Sequence, residues 1–241
     1  GISIDTLNRF LIGYVESWKH PKAPNAPASP RLIIPTSRSS YLARDTRDNI
    51  PKEARAYSKS KVNTTHIFNQ KALEEAQRPI YIVEGEIDAL SIIDVGGEAI
   101  ALGSTSNKRK LLELVKANKP AQSFIIALDN DKAGKDASKD LIEGLKELNI
   151  EFIVSNPAGN YKDANEALIN DLEGFKDRVT NPKDLLAEEE EALKEEYLQN
   201  STEKHLQDFI NGITDSADTP YIPTGFSTFD NVLDGGLYEG L

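Results

Sequence analysis

The chain has 241 residues, with 39 Asp and Glu against 28 Lys and Arg, no cysteine and three histidines. That length suits one large domain or two modest ones, and the lack of cysteine excludes disulfides and thiolate metal sites. His20, His66 and His205 lie too far apart for a zinc spacing, no apolar run reaches the roughly 18 residues of a membrane span, and no signal peptide opens the chain, so a cytoplasmic protein without a membrane partner is expected.

Charge is unevenly spread. Residues 1–75 carry 12 Lys/Arg against 7 Asp/Glu, residues 76–179 carry 13 against 18, and residues 180–241 carry 3 against 14. A basic front beside an acidic middle suggests a polyanion partner for the front.

In chain order, "HPKAPNAPASPR" from His20 reads as an extended loop or linker, because four prolines interrupt it. "RLIIPTSRSSYLARD" from Arg31 holds short β-type runs broken by Pro35 and predicts an antiparallel hairpin or small sheet. "AYSKSKVNTTHIF" from Ala56 predicts further irregular strand. From Pro79 apolar runs alternate with helical patterns. They predict strands at 80–84, 99–102, 123–128 and 151–155, with helices at 87–95, 107–117 and 133–148 between them. Continuous apolar strands separated by helices predict an α/β fold with a parallel sheet of about four strands covered on both faces. "KDANEALIN" from Lys162 starts one more short helix. Residues 183–211, rich in Glu, Leu and Lys, predict a long helical stretch with Glu188 to Glu191 on a solvated face.

The strand-end residues carry the chemistry. Ligands of open parallel sheets bind outside the carboxyl ends of the strands. Glu84 ends the first predicted strand, and Asp129 and Asp131 end the third. Residues i and i+2 of an extended chain point the same way, so Asp129 and Asp131 can converge. Asp88 falls about one helical turn past Glu84, and Asp163 can reach the same rim. Crowded carboxylates repel and raise one another's pKa values, and a hard cation removes that cost. Oxygen-only donors suit Mg²⁺ or Mn²⁺ rather than zinc, and such sites usually handle phosphates. Gly85 and Gly134 allow the backbone to approach closely.

Arg31, Arg38, Arg44, Arg47, Lys59 and Lys61 interleave with Tyr41 and Tyr57. That pattern suits a single-stranded nucleic-acid groove, or an incoming triphosphate, or simply an edge sheet blunted by charge. Lys132 and Lys135 sit beside the D-x-D pair and can screen phosphate. "DKAGKDAS" is not a phosphate loop, because that motif needs glycine where Asp129 stands and Ser or Thr where Asp136 stands.

"VEGEIDAL" and "ALDNDKAG" resemble the glutamate and D-x-D motifs of the Toprim domain of primases and topoisomerases. "YKDANEAL" resembles the K-D-A-N-E segment of phage-type primase–helicases. "RLIIPTSRSSYLARDTR" and "YSKSKVNTTHIFNQKAL" resemble the basic part of the primase RNA-polymerase domain. "TGFSTFDNVLDGGLYEGL" is similar to the segment leading into the RecA-like ATPase of replicative helicases. The resemblance implies four regions. These are a small mixed α+β basic subdomain at 1–75, a Toprim domain at 76–179, a helical linker at 180–215 and the start of a helicase-like ATPase domain at 216–241.

The resemblance also implies roles. Glu84 is an acid/base or metal-linked glutamate, Asp129 and Asp131 are metal ligands, Asp163 is a further metal acid, and Asp88 orients the site or supports the metal. Asn165 stands where some family members carry another acid, which leaves one or two metals open. The family's zinc-binding module has no counterpart here and is expected upstream. The implied activity is Mg²⁺-dependent synthesis of RNA primers from ribonucleoside triphosphates on a single-stranded DNA template, tethered to a replicative helicase domain. A Toprim-type nuclease and a non-catalytic DNA-binding or helicase-docking module are the alternatives.

Overall fold

Two four-stranded sheets of opposite character are built from the first 154 residues. The computed structural model describes residues 1–21, 27–63, 66–129, 132–199, 202–217 and 222–232. Gly1–Leu186 forms one compact unit and Ala187–Leu241 a second.

The first sheet is antiparallel, in the order β1 (Gly13–Trp18), β2 (Ser29–Pro35), β3 (Tyr41–Asp45) and β4 (Lys59–Val62). The short helix α1 (Ile4–Arg9) precedes it, capped by the Ser3 side chain. The expected hairpin is β2–β3, with Leu32 opposite Arg44 and Ile34 opposite Leu42. Neither α1 nor β1 is predicted from the sequence. β1 is exposed along its length except at Trp18, so it carries no apolar alternation to read.

Register sorts the side chains of this sheet onto two faces. Leu32, Ile34, Leu42, Arg44, Lys59 and Lys61 share one face, and Arg31, Ala43, Asp45 and Ser60 share the other. Ile34 and Leu42 pack in one core cluster with Phe68, Tyr81 and Val83, so the face bearing Arg44 turns toward the second sheet.

That second sheet is parallel, in the order β6 (Glu98–Ala101), β5 (Ile80–Val83), β7 (Phe124–Ile126) and β8 (Phe152–Val154). Before it, α2 (Ala72–Glu75) packs into the same core as Ile80 and Ile100. The crossovers are α3 (Glu86–Asp94), α4 (Lys108–Ala117) and α5 (Lys132–Glu147). The four residues of β5 are all buried, as a strand covered on both faces must be. Each such Ile or Val contributes about 1.5–3 kcal/mol. β7 is shorter than the sequence predicts: its ladder closes with the Ala127 N–H on the Ile82 carbonyl, and the chain then leaves the sheet.

α6 (Ala164–Asn170) and α7 (Leu172–Thr180) complete the first unit. α7 goes unread in the sequence, although Phe175 and Val179 are buried and Tyr81 Oη donates to the Val179 carbonyl at 2.9 Å. The predicted long helix is present as α8 (Leu185–Gln199) and α9 (Thr202–Ala217), and the side chains of 188–191 are exposed as expected. α10 (Ser227–Val232) follows, and its Asp230 accepts from the Thr224 N–H at 2.8 Å. Among the described residues no helix is long and apolar enough to cross a membrane.

Candidate active site

The order β6-β5-β7-β8 places the first and third strands of the parallel sheet side by side. The chain runs from β5 outward to β6, then returns across the sheet to β7. The carboxyl ends of β5 and β7 therefore flank the point where the winding reverses, which is where open α/β sheets bind ligands. Glu84 follows β5 directly, and Asp129 lies three residues beyond the end of β7. Asp129 thus lies past the strand and not on it. Asp131 lies outside the described residues.

Two close approaches hold this loop and its neighbour. A Cβ on Gly134 would fall 2.0 Å from the Asp129 carbonyl oxygen, so the first turn of α5 sits directly against the Asp129 backbone. A Cβ on Gly85 would fall 2.5 Å from Asp88 Oδ2, so the Asp88 carboxylate folds back over the turn that leaves β5. Gly134 is required because a side chain there would meet backbone, whereas at Gly85 the neighbour is the Asp88 carboxylate, which can turn.

α6 delivers the next acid. Asp163 caps it, accepting from the Glu166 N–H at 2.8 Å. Asn165 docks α6 on α3: its Nδ2 donates to Ser91 Oγ at 3.1 Å, and its backbone N–H is near enough to the Asp88 carboxylate to favour the ionised form. The position that raised the question of a second metal acid is therefore a bracket that sets Asp163 beside Asp88.

The basic residues separate by face. Arg44 is exposed on the inner face, near enough to the rim that its charge favours ionisation of Asp88. Arg38 is exposed in the β2–β3 turn, and Lys132 and Lys135 are exposed on the first turn of α5. Arg31 leaves the candidate nucleic-acid set. Its side chain is 3% exposed, 3.5 Å from Asp45 Oδ2, with its guanidinium over the Trp18 ring. Strand alternation puts it on the outer face, where burial requires a partner. Arg47 is bound to the same Asp45 through two hydrogen bonds of 3.0 and 2.7 Å. Lys61 donates to the Gly103 carbonyl and Lys59 lies 3.8 Å from Glu86, so both turn toward the parallel-sheet unit.

Residues 81–168 match the Toprim-like family. The DNA primase of Mycoplasma genitalium is 32% identical over 105 residues, covering 43% of this chain and 17% of that protein. The primase fragment of the bacteriophage T7 primase-helicase protein superposes with a TM-score of 0.54 at 18% identity, covering 73% of this chain and 69% of that one. The zinc-binding and RNA polymerase domains of Aquifex aeolicus primase superpose with a TM-score of 0.54 at 18% identity, covering 75% and 53%.

The fold is that of a Toprim primase. The chain spans 17% of the length of the curated primase it matches, so the match speaks for the Toprim segment and not for a whole replication protein.

Does this acid rim fit a hard cation? Asp88 answers through its pKa, which is pushed up from 3.8 to about 6. Burial is the main cause, followed by the Asp163 and Asp129 carboxylates, against the Asn165 N–H and Arg44. The Asp129 carboxylate after β7 and the Asp163 carboxylate at the cap of α6 thus both disfavour the charged form of Asp88 on α3, and all three side chains offer oxygen donors, the kind that Mg²⁺ or Mn²⁺ takes. Among the described residues no group of three or more His, Asp or Glu side chains is placed so as to hold a metal ion. Sequence reasoning passes over Ser91, Glu86 and Gly103, all of which support this rim, and singles out Asn165 only as the place of a missing acid. A glycine just past β6 and a second acid after Glu84 are the only marks these residues leave in the sequence.

Proposed function

We propose that the chain is the catalytic core of a DNA primase, joining ribonucleotides on a single-stranded DNA template. The observation that carries this reading is the pairing of the acid rim at the β5/β7 switch point with Arg44 on the facing antiparallel sheet. Acids alone would serve any cation site. Acids facing exposed cations suit a substrate that is itself a polyanion.

Glu84, Asp129, Asp131 and Asp163 would hold Mg²⁺ or Mn²⁺, with Asp88 beside them. The cation, when bound, neutralises phosphate charge and polarises the phosphorus centre. Arg44, Lys132 and Lys135 hold the triphosphate, and Arg38 holds the template backbone. The 3′-hydroxyl of the growing strand attacks the α-phosphorus, a new P–O bond forms, and pyrophosphate leaves. Glu84 either takes the proton of that hydroxyl or completes the acid shell. Positioning and charge neutralisation supply most of the rate.

The assignment of 1–75, 76–179, 180–215 and 216–241 as basic subdomain, Toprim domain, linker and helicase-like start belongs to the same proposal, as does a helicase domain on the full-length chain. Similarity to the primase part of a primase-helicase supports it, as does the helix-rich composition of the second unit. The test is incubation with single-stranded DNA, Mg²⁺ and labelled ribonucleoside triphosphates. Label entering short oligomers is expected. Cleavage of the DNA without incorporation would replace the reading with a nuclease.

A further inference from the structure

Glu86 is the first residue of α3 and is only 3% exposed, although it is a carboxylate at the start of a helix. Its nearby cations come from the other sheet. Lys59 Nζ lies 3.8 Å from Glu86 Oε2. Burial lowers the pKa of Lys61, and the nearby Glu86 partly offsets this by favouring the charged form, with Glu84 adding a weaker effect of the same sign. The stem of Lys61 is exposed, but its ammonium turns in to donate to the Gly103 carbonyl.

Gly103 joins these groups to the rim. Its N–H donates to the Glu84 carbonyl at 2.8 Å. It has φ +66°, and a Cβ there would sit 2.9 Å from Glu86 Oε1 and 3.6 Å from Lys61 Nζ. One turn after β6 is therefore bonded to Glu84 through its N–H, to Lys61 through its carbonyl, and packed on Glu86. A buried carboxylate is costly unless paired. Here the pairing charges belong to β4, so burial of Glu86 requires the antiparallel sheet to be docked.

We propose that Glu86 and Lys61 form a strap that holds the basic sheet to the Gly103 turn and so sets the position of Glu84. Glu86 is a positioning residue in this arrangement and not a cation ligand. The strap also explains why Lys61 is lost to a polyanion while Arg44, on the same face, is not. The inference rests on reading Glu84 as an acid of a cation-dependent primase site.

A double-mutant cycle tests it, with Glu86→Gln, Lys61→Met and the pair. The readouts are Mn²⁺ binding to the metal-free protein by direct titration, metal-free melting temperature, and kcat and KM for primer synthesis. Each single substitution should lower kcat about tenfold and the pair no further, because both cut one strap. The number of Mn²⁺ bound per chain should stay at the wild-type value, and Lys61→Arg should restore most of kcat. Loss of Mn²⁺ binding in Glu86→Gln would make Glu86 a ligand and overturn the strap. So would losses that multiply in the pair. If wild-type protein makes no primers, the functional reading fails, and the strap is then judged on melting temperature alone. Non-additive shifts keep it and additive shifts reject it. Should Glu86→Gln fail to fold, Lys61→Met against Lys61→Arg carries the test: loss with methionine and retention with arginine is expected, and equal behaviour overturns it.

Discussion

At the scale of single residues, Asp88 reports the state of the rim. Its carboxyl titrates at about 6 in the folded chain against 3.8 for an unperturbed group. The folded state therefore holds a proton that the unfolded state has released between these values. For this group, metal-free stability is highest below about pH 4, falls as pH rises, and levels off above about pH 6, a loss of about 3 kcal/mol. Asp88→Asn should flatten that fall, as read by urea midpoints at pH 4.5 and 6.5. A cation favours the ionised carboxylates, so stabilisation by Mg²⁺ should grow through the same window in the wild type. A substituted protein that keeps the full pH slope would move the titration to another residue.

Among the elements, the entry to α5 is decided by one glycine. A methyl group on Gly134 would lie 2.0 Å from the Asp129 carbonyl, against backbone that has no rotamer to change. Gly144, ten residues further along the same helix, offers a control. The atoms nearest its Cβ would belong to the Leu112 side chain, with Cδ1 at 2.4 Å. Gly134→Ala should cost about 1–3 kcal/mol through overpacking and should also blunt the rise in melting temperature with Mg²⁺, because Asp129 has to move. Gly144→Ala should leave the Mg²⁺ response at the wild-type level, since Leu112 can shift and alanine suits a helix interior. An unchanged Mg²⁺ response in Gly134→Ala would separate Asp129 from the cation.

Across the whole first unit, the antiparallel sheet divides its cations between two tasks. Arg31 and Arg47 hold Asp45 on or beside the outer face, and Arg47 is the leading reason that the Asp45 carboxyl lies below its usual range. Arg44 stands exposed on the inner face, near Asp88. Arg31→Ala should destabilise the fold by about 3 kcal/mol, because it breaks a buried pair. Arg44→Ala should change stability by less than about 0.5 kcal/mol. It should weaken single-stranded DNA binding on any sequence and lower the log–log salt slope by about 0.7 for each phosphate no longer neutralised. Equal salt slopes for wild type and Arg44→Ala would take the inner face out of the nucleic-acid path.

The sequence by itself determined the parallel sheet. Apolar runs such as "IYIV" and "SFII" mark buried strands locally, and Glu84 marks the end of the first, so these signals survive without any knowledge of neighbours. The strand order was not legible, and with it the adjacency of Glu84 and Asp129, because pairing between β5 and β7 joins residues more than 40 positions apart. Nor could the sequence separate Arg44 from Arg31: alternation shows that a strand has two faces, but only the docked partner decides which is inner. Asp45 holds Arg31 through a register set by the β2–β3 hairpin. Glu86 reads as an ordinary exposed acid in the first turn of a helix. It is buried because Lys59 and Lys61 arrive from β4, and that charge compensation exists only once the two sheets have met.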